Sequence, residues 1–130
     1  MKDLELHHFA HRIAKGSLEF VIELFEQMGF FVSYREKDAR WAMIKQKSVN
    51  VDIQLIETDD KPLKTDIKTN CHIAFLSDNP EKEVERIKEW IESKNRKFVQ
   101  GKWSDKEFWF DLPEIFIDFV IEVMNTSIIK

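Results

Sequence analysis

The chain is poor in the residues that most often punctuate or staple a fold: of its 130 residues, one is cysteine, three are glycine and three are proline. A single cysteine, Cys71, excludes an intrachain disulfide and the cysteine clusters of structural zinc. It fits a reducing compartment, so a cytoplasmic protein is expected. With so little glycine and proline, no linker-like tract divides the chain, and residues 1–130 are expected to form a single domain. No stretch approaches the roughly twenty apolar residues that span a bilayer. The N-terminal MKDLELHH lacks the apolar run of a signal peptide. An excess of positive charge is also missing: 20 Lys and Arg stand against 24 Asp and Glu, a net charge of -4, and the lysines are scattered among acids. That excludes a face that binds nucleic acid by neutralising phosphates. Neither nucleic acid nor a membrane is an expected partner.

What the chain does have is apolar and aromatic surface: 43% hydrophobic residues, with eleven Phe and four Trp. Its patterning alternates between a period of two and a period of 3.6. LELHHFAHRI at 4–13 reads as a strand that ends at a turn containing Gly16 and Ser17. Val21, Leu24, Phe25 and Met28 then form one face of a helix over 18–28, stopped by Gly29. Strand-like runs follow at 30–36, 40–46 and 49–57. After a polar connection over 58–69 the order repeats. CHIAFLS at 71–77 is a strand, and Asn79 and Pro80 open a helix whose apolar face is Val84, Ile87 and Ile91. Runs at 97–101, 106–112 and 115–123 close the chain. The predicted class is α+β: two βαβββ repeats, about 4–59 and 67–125, forming a cupped eight-stranded mixed sheet with helices on its outer face.

Polar residues that interrupt apolar strands recur at one interval. His8 and His72 are 64 residues apart, and so are Gln54 and Asp118. Because side chains alternate across a strand, parity puts all four on the face away from the helices. Two imidazoles, a carboxylate and an amide oxygen suit a divalent ion (Fe, Mn, Ni or Zn) with positions left open for a ligand. The plainer alternative is a wet cavity lined by locally hydrogen-bonded polar groups. Arg12, on the same face as His8, is a candidate for holding a substrate carboxylate, and Trp41 and Trp109 are candidate substrate contacts. A rim ion pair and ordinary core packing are the competing readings for these three. Cys71 reads as a small buried apolar residue.

The segments LHHFAHRI, VDIQLIE, CHIAFLSDNP and FDLPEIFIDFVIEV, in this order of elements, resemble the vicinal oxygen chelate superfamily. That group includes glyoxalase I, extradiol dioxygenases, and the fosfomycin and bleomycin resistance proteins. The resemblance covers residues 4–123. It implies metal ligands from the first, fourth, fifth and eighth strands, which are His8, Gln54, His72 and Asp118 here. Gln54 and Asp118 stand where glyoxalase I has glutamates, and Asp111-Leu112-Pro113-Glu114 replaces the usual Asp-Pro-Asp-Gly turn. The implied function is a divalent-metal-dependent lyase or isomerase acting on a small oxygen-rich substrate. The alternative is a metal-free protein that sequesters an antibiotic-like ligand. The resemblance also implies a homodimer.

Overall fold

The structure, a computed structural model, describes residues 3–129. Its first half runs β1 (His8–Ala14), α1 (Leu18–Glu26), β2 (Phe30–Tyr34), β3 (Trp41–Gln46) and β4 (Asp52–Thr58). The second runs α2 (Thr65–Lys68), β5 (His72–Ser77), α3 (Pro80–Ser93), β6 (Val99–Ser104), β7 (Glu107–Asp111) and β8 (Val120–Asn125), with a short 3-10 turn, Thr126–Ile128. The chain divides into two compact units, one ending at Asp59 and the other beginning at Asp60. Each holds a four-stranded mixed sheet, ordered β1-β4-β3-β2 and β5-β8-β7-β6. The expected α+β class and both βαβββ repeats are therefore present, with the eight strands shared between two sheets of four. Among the described residues no helix is long and apolar enough to cross a membrane.

In the first unit, Gly16 leaves β1 at φ +80° and Gly29 leaves α1 at φ +89°, a left-handed backbone that glycine adopts at least cost. The Ser17 hydroxyl donates back to the Ala14 carbonyl and does not cap the helix. The cap comes from the sheet instead: the first helical N–H, at Leu18, donates to Glu57 Oε2 of β4 at 3.0 Å. Val21, Leu24 and Phe25 are fully buried, as are Ile13, Ala42 and Leu55 of the sheet. Apart from Ala42, each of these side chains contributes about 1.5–3 kcal/mol through its burial.

The second unit repeats the device with different residues. Asn79 Oδ1 accepts from the Lys82 N–H at 3.3 Å, Pro80 opens α3, and Asn95 ends it at φ +59°. Val84, Ile87 and Ile91 are buried, together with Phe110, Ile121 and Val123.

Several boundaries differ from the sequence reading. β1 begins at His8, not at residue 4, and Leu4 and Leu6 are exposed. The polar connection contains α2. The largest shift is at β8, which begins at Val120 rather than 115. The N–H groups of Ile115 and Phe116 both donate to the Leu112 carbonyl, at 2.9 and 3.0 Å, so the chain makes a helical turn past Pro113. Leu112, Ile115, Phe116, Ile117 and Phe119 are all buried. Burial at both parities makes this stretch a packed loop whose composition imitates a buried strand.

Candidate functional site

In the first sheet the pairing register separates two faces. Ala42 lies opposite Leu55 and Ile44 opposite Ile53, on the side covered by α1. The other side presents His8, Ala10 and Arg12 from β1, paired with Asp52, Gln54 and Ile56 of β4. Met43 and Trp41 of β3 pair with Gln54 and Ile56 and extend the same face. The expected candidates of this half, His8, Arg12, Trp41 and Gln54, thus share one surface. His8 Nδ1 lies 3.0 Å from His7 Nδ1, with the rings edge to face. Asp52, directly opposite His8 and buried, accepts a hydrogen bond from the Ser33 hydroxyl. Trp41 stacks on Tyr34 with 5.8 Å between ring centroids.

In the second sheet the equivalent face carries His72 and Ala74 of β5, Glu122 of β8, and Trp109 of β7 paired with Gly101 of β6. His72 Nε2 is 3.4 Å from Glu122 Oε1, and the Glu122 side chain is only 6% exposed. Trp103 lies 5.2 Å from the His72 ring and 6.3 Å from Trp109, centroid to centroid. Gly101 is open to this packing because it has no Cβ. An added carbon would meet Trp109 Cε2 at 2.6 Å and Nε1 at 2.8 Å.

Asp118 is not part of this face. It sits in the bend before β8, and its charge acts on Cys71. Cys71 is exposed, contrary to its reading as a buried residue. Partial desolvation of its thiol and the nearby Asp118 both push the thiol pKa up, so it rests protonated and is a poor nucleophile. The carboxylate that sequence reasoning missed is Glu122. The register makes the equivalence plain: Ala10 faces Gln54 in the first unit, and Ala74 faces Glu122 in the second. A buried acid inside the apolar run VIEV was the available signal.

The donor set around His72 has a definite polarity. Its Nδ1 lies 3.1 Å from the Thr69 carbonyl, which can only accept, so Nδ1 carries a proton. Nε2 then offers a lone pair to a carboxylate, and two acceptors at this distance call for a cation between them, either a proton or a metal ion. Burial raises the Glu122 pKa, and the charge of Glu107 adds to this while His72 opposes it. A histidine fixed through its second nitrogen by a carbonyl, beside a carboxylate, is an arrangement that fits a metal ligand. Among the described residues no group of three or more His, Cys, Asp or Glu is placed to hold a metal ion. A metal here therefore needs donors of other kinds as well.

No protein-family model matches the sequence, and no curated protein does. Solved structures do match along nearly the whole chain. A protein from Bacillus anthracis assigned to the glyoxalase family is 15% identical with a TM-score of 0.56, covering 96% of this chain and 97% of its own. An antibiotic binding protein from a Streptomyces species is 14% identical with a TM-score of 0.57, covering 96% and 98%. A fosfomycin resistance protein from Listeria monocytogenes, in complex with Mn(II) and a dihydroxypropylphosphonic acid, is 16% identical with a TM-score of 0.59, covering 95% and 93%. The fold of this chain is that of the vicinal oxygen chelate proteins.

Proposed function

We propose that this chain is a glyoxalase-like protein that binds a divalent metal ion and acts as a lyase or isomerase on a small oxygen-rich substrate. The observation that carries the reading is the His72–Glu122 pair, an imidazole and a carboxylate that a proton or a metal ion would bridge, with the histidine already oriented by the Thr69 carbonyl. The Mn(II) held by the fosfomycin resistance protein of the same fold supports it. Within the second sheet Glu122 takes the role expected of Asp118, and His8 and Gln54 remain candidate ligands on the face of the first sheet. Imidazole and carboxylate suit Fe, Mn, Ni or Zn, whereas an amide oxygen is a weaker donor. When bound, the ion would polarise a substrate oxygen as a Lewis acid. The protein's own contribution is positioning: Arg12 to bind an anionic group, Trp41 and Trp109 to wall off water. The reading includes one glyoxalase-like domain built of both units, pairing of two chains, and a cytoplasmic setting.

A second reading, metal-free sequestration of an aromatic compound, is favoured by one feature: Trp109 packs against Gly101 beside Trp103, an aromatic surface of the kind on which a planar ring stacks. The antibiotic binding protein of the same fold supports it. Titrating chelator-treated protein with Mn(II) and Zn(II), against His72→Ala and Glu122→Gln, separates the two. Stoichiometric binding that both variants weaken supports the metal reading. No binding by the wild type refutes it, and quenching of tryptophan emission by planar aromatic ligands would then support the second.

A further inference from the structure

The metal reading leaves one cluster unused. Lys68, the last residue of α2, is buried to 1% exposure. Its Nζ donates to the Phe116 carbonyl at 2.8 Å and lies 2.9 Å from Asp111 Oδ1, with both side chains fully buried. Asp111 Oδ1 makes no hydrogen bond of good geometry and is held by charge alone, while its Oδ2 accepts from the hydroxyl of Thr65, the first residue of α2, at 2.6 Å. Both ends of α2 therefore grip one carboxylate at the end of β7.

A single four-residue turn has no stability of its own, since isolated helices below about twelve residues are marginal. Nor does apolar packing hold this one: Ile67 is 60% exposed and Lys68 is its one buried residue. The polar clasp is what anchors α2. The residue after Lys68 is Thr69, whose carbonyl accepts the His72 Nδ1 proton. The Lys68 carbonyl, in turn, accepts the Cys71 N–H at 2.9 Å, one residue before His72.

We propose that the Lys68–Asp111–Thr65 clasp is a positioning device that sets the tautomer of His72, by holding the Thr69 carbonyl where only Nδ1–H can meet it. The inference rests on the reading of His72 as a ligand for its purpose, though not for its geometry. With the clasp in place Nε2 presents its lone pair on the side of Glu122; without it the Thr69 carbonyl moves and the ring can carry its proton on Nε2 instead.

The test uses the full chain and long-range proton–nitrogen correlation spectra of the histidine rings, recorded at a pH where they are neutral. Wild type is expected to show His72 as the Nδ1–H tautomer. Lys68→Met/Asp111→Leu, which removes the ion pair without leaving a buried charge, is expected to shift His72 largely to Nε2–H and to weaken Mn(II) binding about tenfold or more. A folded double variant that keeps the Nδ1–H tautomer overturns the proposal. Should that variant not fold, Thr65→Val decides: a partial shift in the same direction supports the clasp, and an unchanged ring overturns it. Wild type that binds no metal but whose tautomer responds as described upholds the clasp and refutes the metal reading separately.

Discussion

Gly101→Ala tests how closely the aromatic wall of the second sheet is built. The added Cβ would stand 2.6 Å from Trp109 Cε2 and 2.8 Å from Nε1, where an unstrained contact needs about 3.5–4.0 Å. The indole must therefore retreat by roughly 1 Å, or β6 and β7 must part. Overpacking of this kind costs about 1–3 kcal/mol. Replacing glycine by alanine also removes unfolded-state entropy, which returns about 0.4–1 kcal/mol. The net expectation is a loss of about 0.5–2 kcal/mol, read as a lower urea midpoint at unchanged slope. Because Trp103 and His72 adjoin the displaced ring, tryptophan emission should change in the folded state as well. Trp109→Leu in the same background should relieve much of the loss, giving a coupling energy in a double-mutant cycle. A Gly101→Ala protein as stable as wild type, with unaltered emission, would refute the claimed contact.

Lys68→Met should be far more damaging, by about 3–5 kcal/mol, because it leaves Asp111 charged and buried, whereas Lys68→Met/Asp111→Leu should recover most of that in urea titration. Glu57 is pushed up by burial, but the N–H groups of Gly16 and Leu18 and the Arg40 guanidinium outweigh this and hold its pKa below the usual carboxylate value. Its stabilisation is thus present above pH about 4.5 and lost as pH falls through the lowered value, so Glu57→Gln should flatten the acid limb of the stability curve. Glu122 has the opposite sign: its raised pKa gives stability below the ordinary carboxylate range that is lost as pH rises through the folded value. Glu122→Gln cannot ionise, and its stability relative to wild type should therefore increase from pH 4 toward neutrality, a trend checked by denaturation at several pH values.

The repeats, the start of α3 and the choice of face were legible because each rests on local chemistry. Asn79 and Pro80 signal a helix start wherever they fall, and parity places His8 and Arg12 on one side of β1, a face that Gln54 of β4 shares through the register. What was not legible depended on contacts distant in sequence. The Leu18 cap is supplied by Glu57, thirty-nine residues away, while the nearby Ser17 turns its hydroxyl elsewhere. The connector looked like a loop because nothing in its sequence reveals that Lys68 is buried against Asp111, forty-three positions later. Residues 115–119, in the loop before β8, were read as strand because they are apolar at both parities, as a buried strand would be.

The equal interval of 64 between Gln54 and Asp118 was a coincidence of numbering, and the register shows why. Four extra residues lie between the fifth and eighth strands relative to the first and fourth, so the position matching Gln54 is Glu122. This changes the chemistry as well as the assignment. The position facing Ala10 holds an amide and the position facing Ala74 a buried carboxylate, so the two halves are alike in backbone and unlike at this matched position. Under the proposed reading, neutral His72 with ionised Glu122 contributes a single negative charge toward a dication. One positive charge is left to be balanced from outside, which favours an anionic or oxygen-rich ligand over an apolar one. The metal-free reading makes the opposite demand: without the ion, His72 and Glu122 must share a proton, and the same face would then favour a neutral ring resting on Trp109.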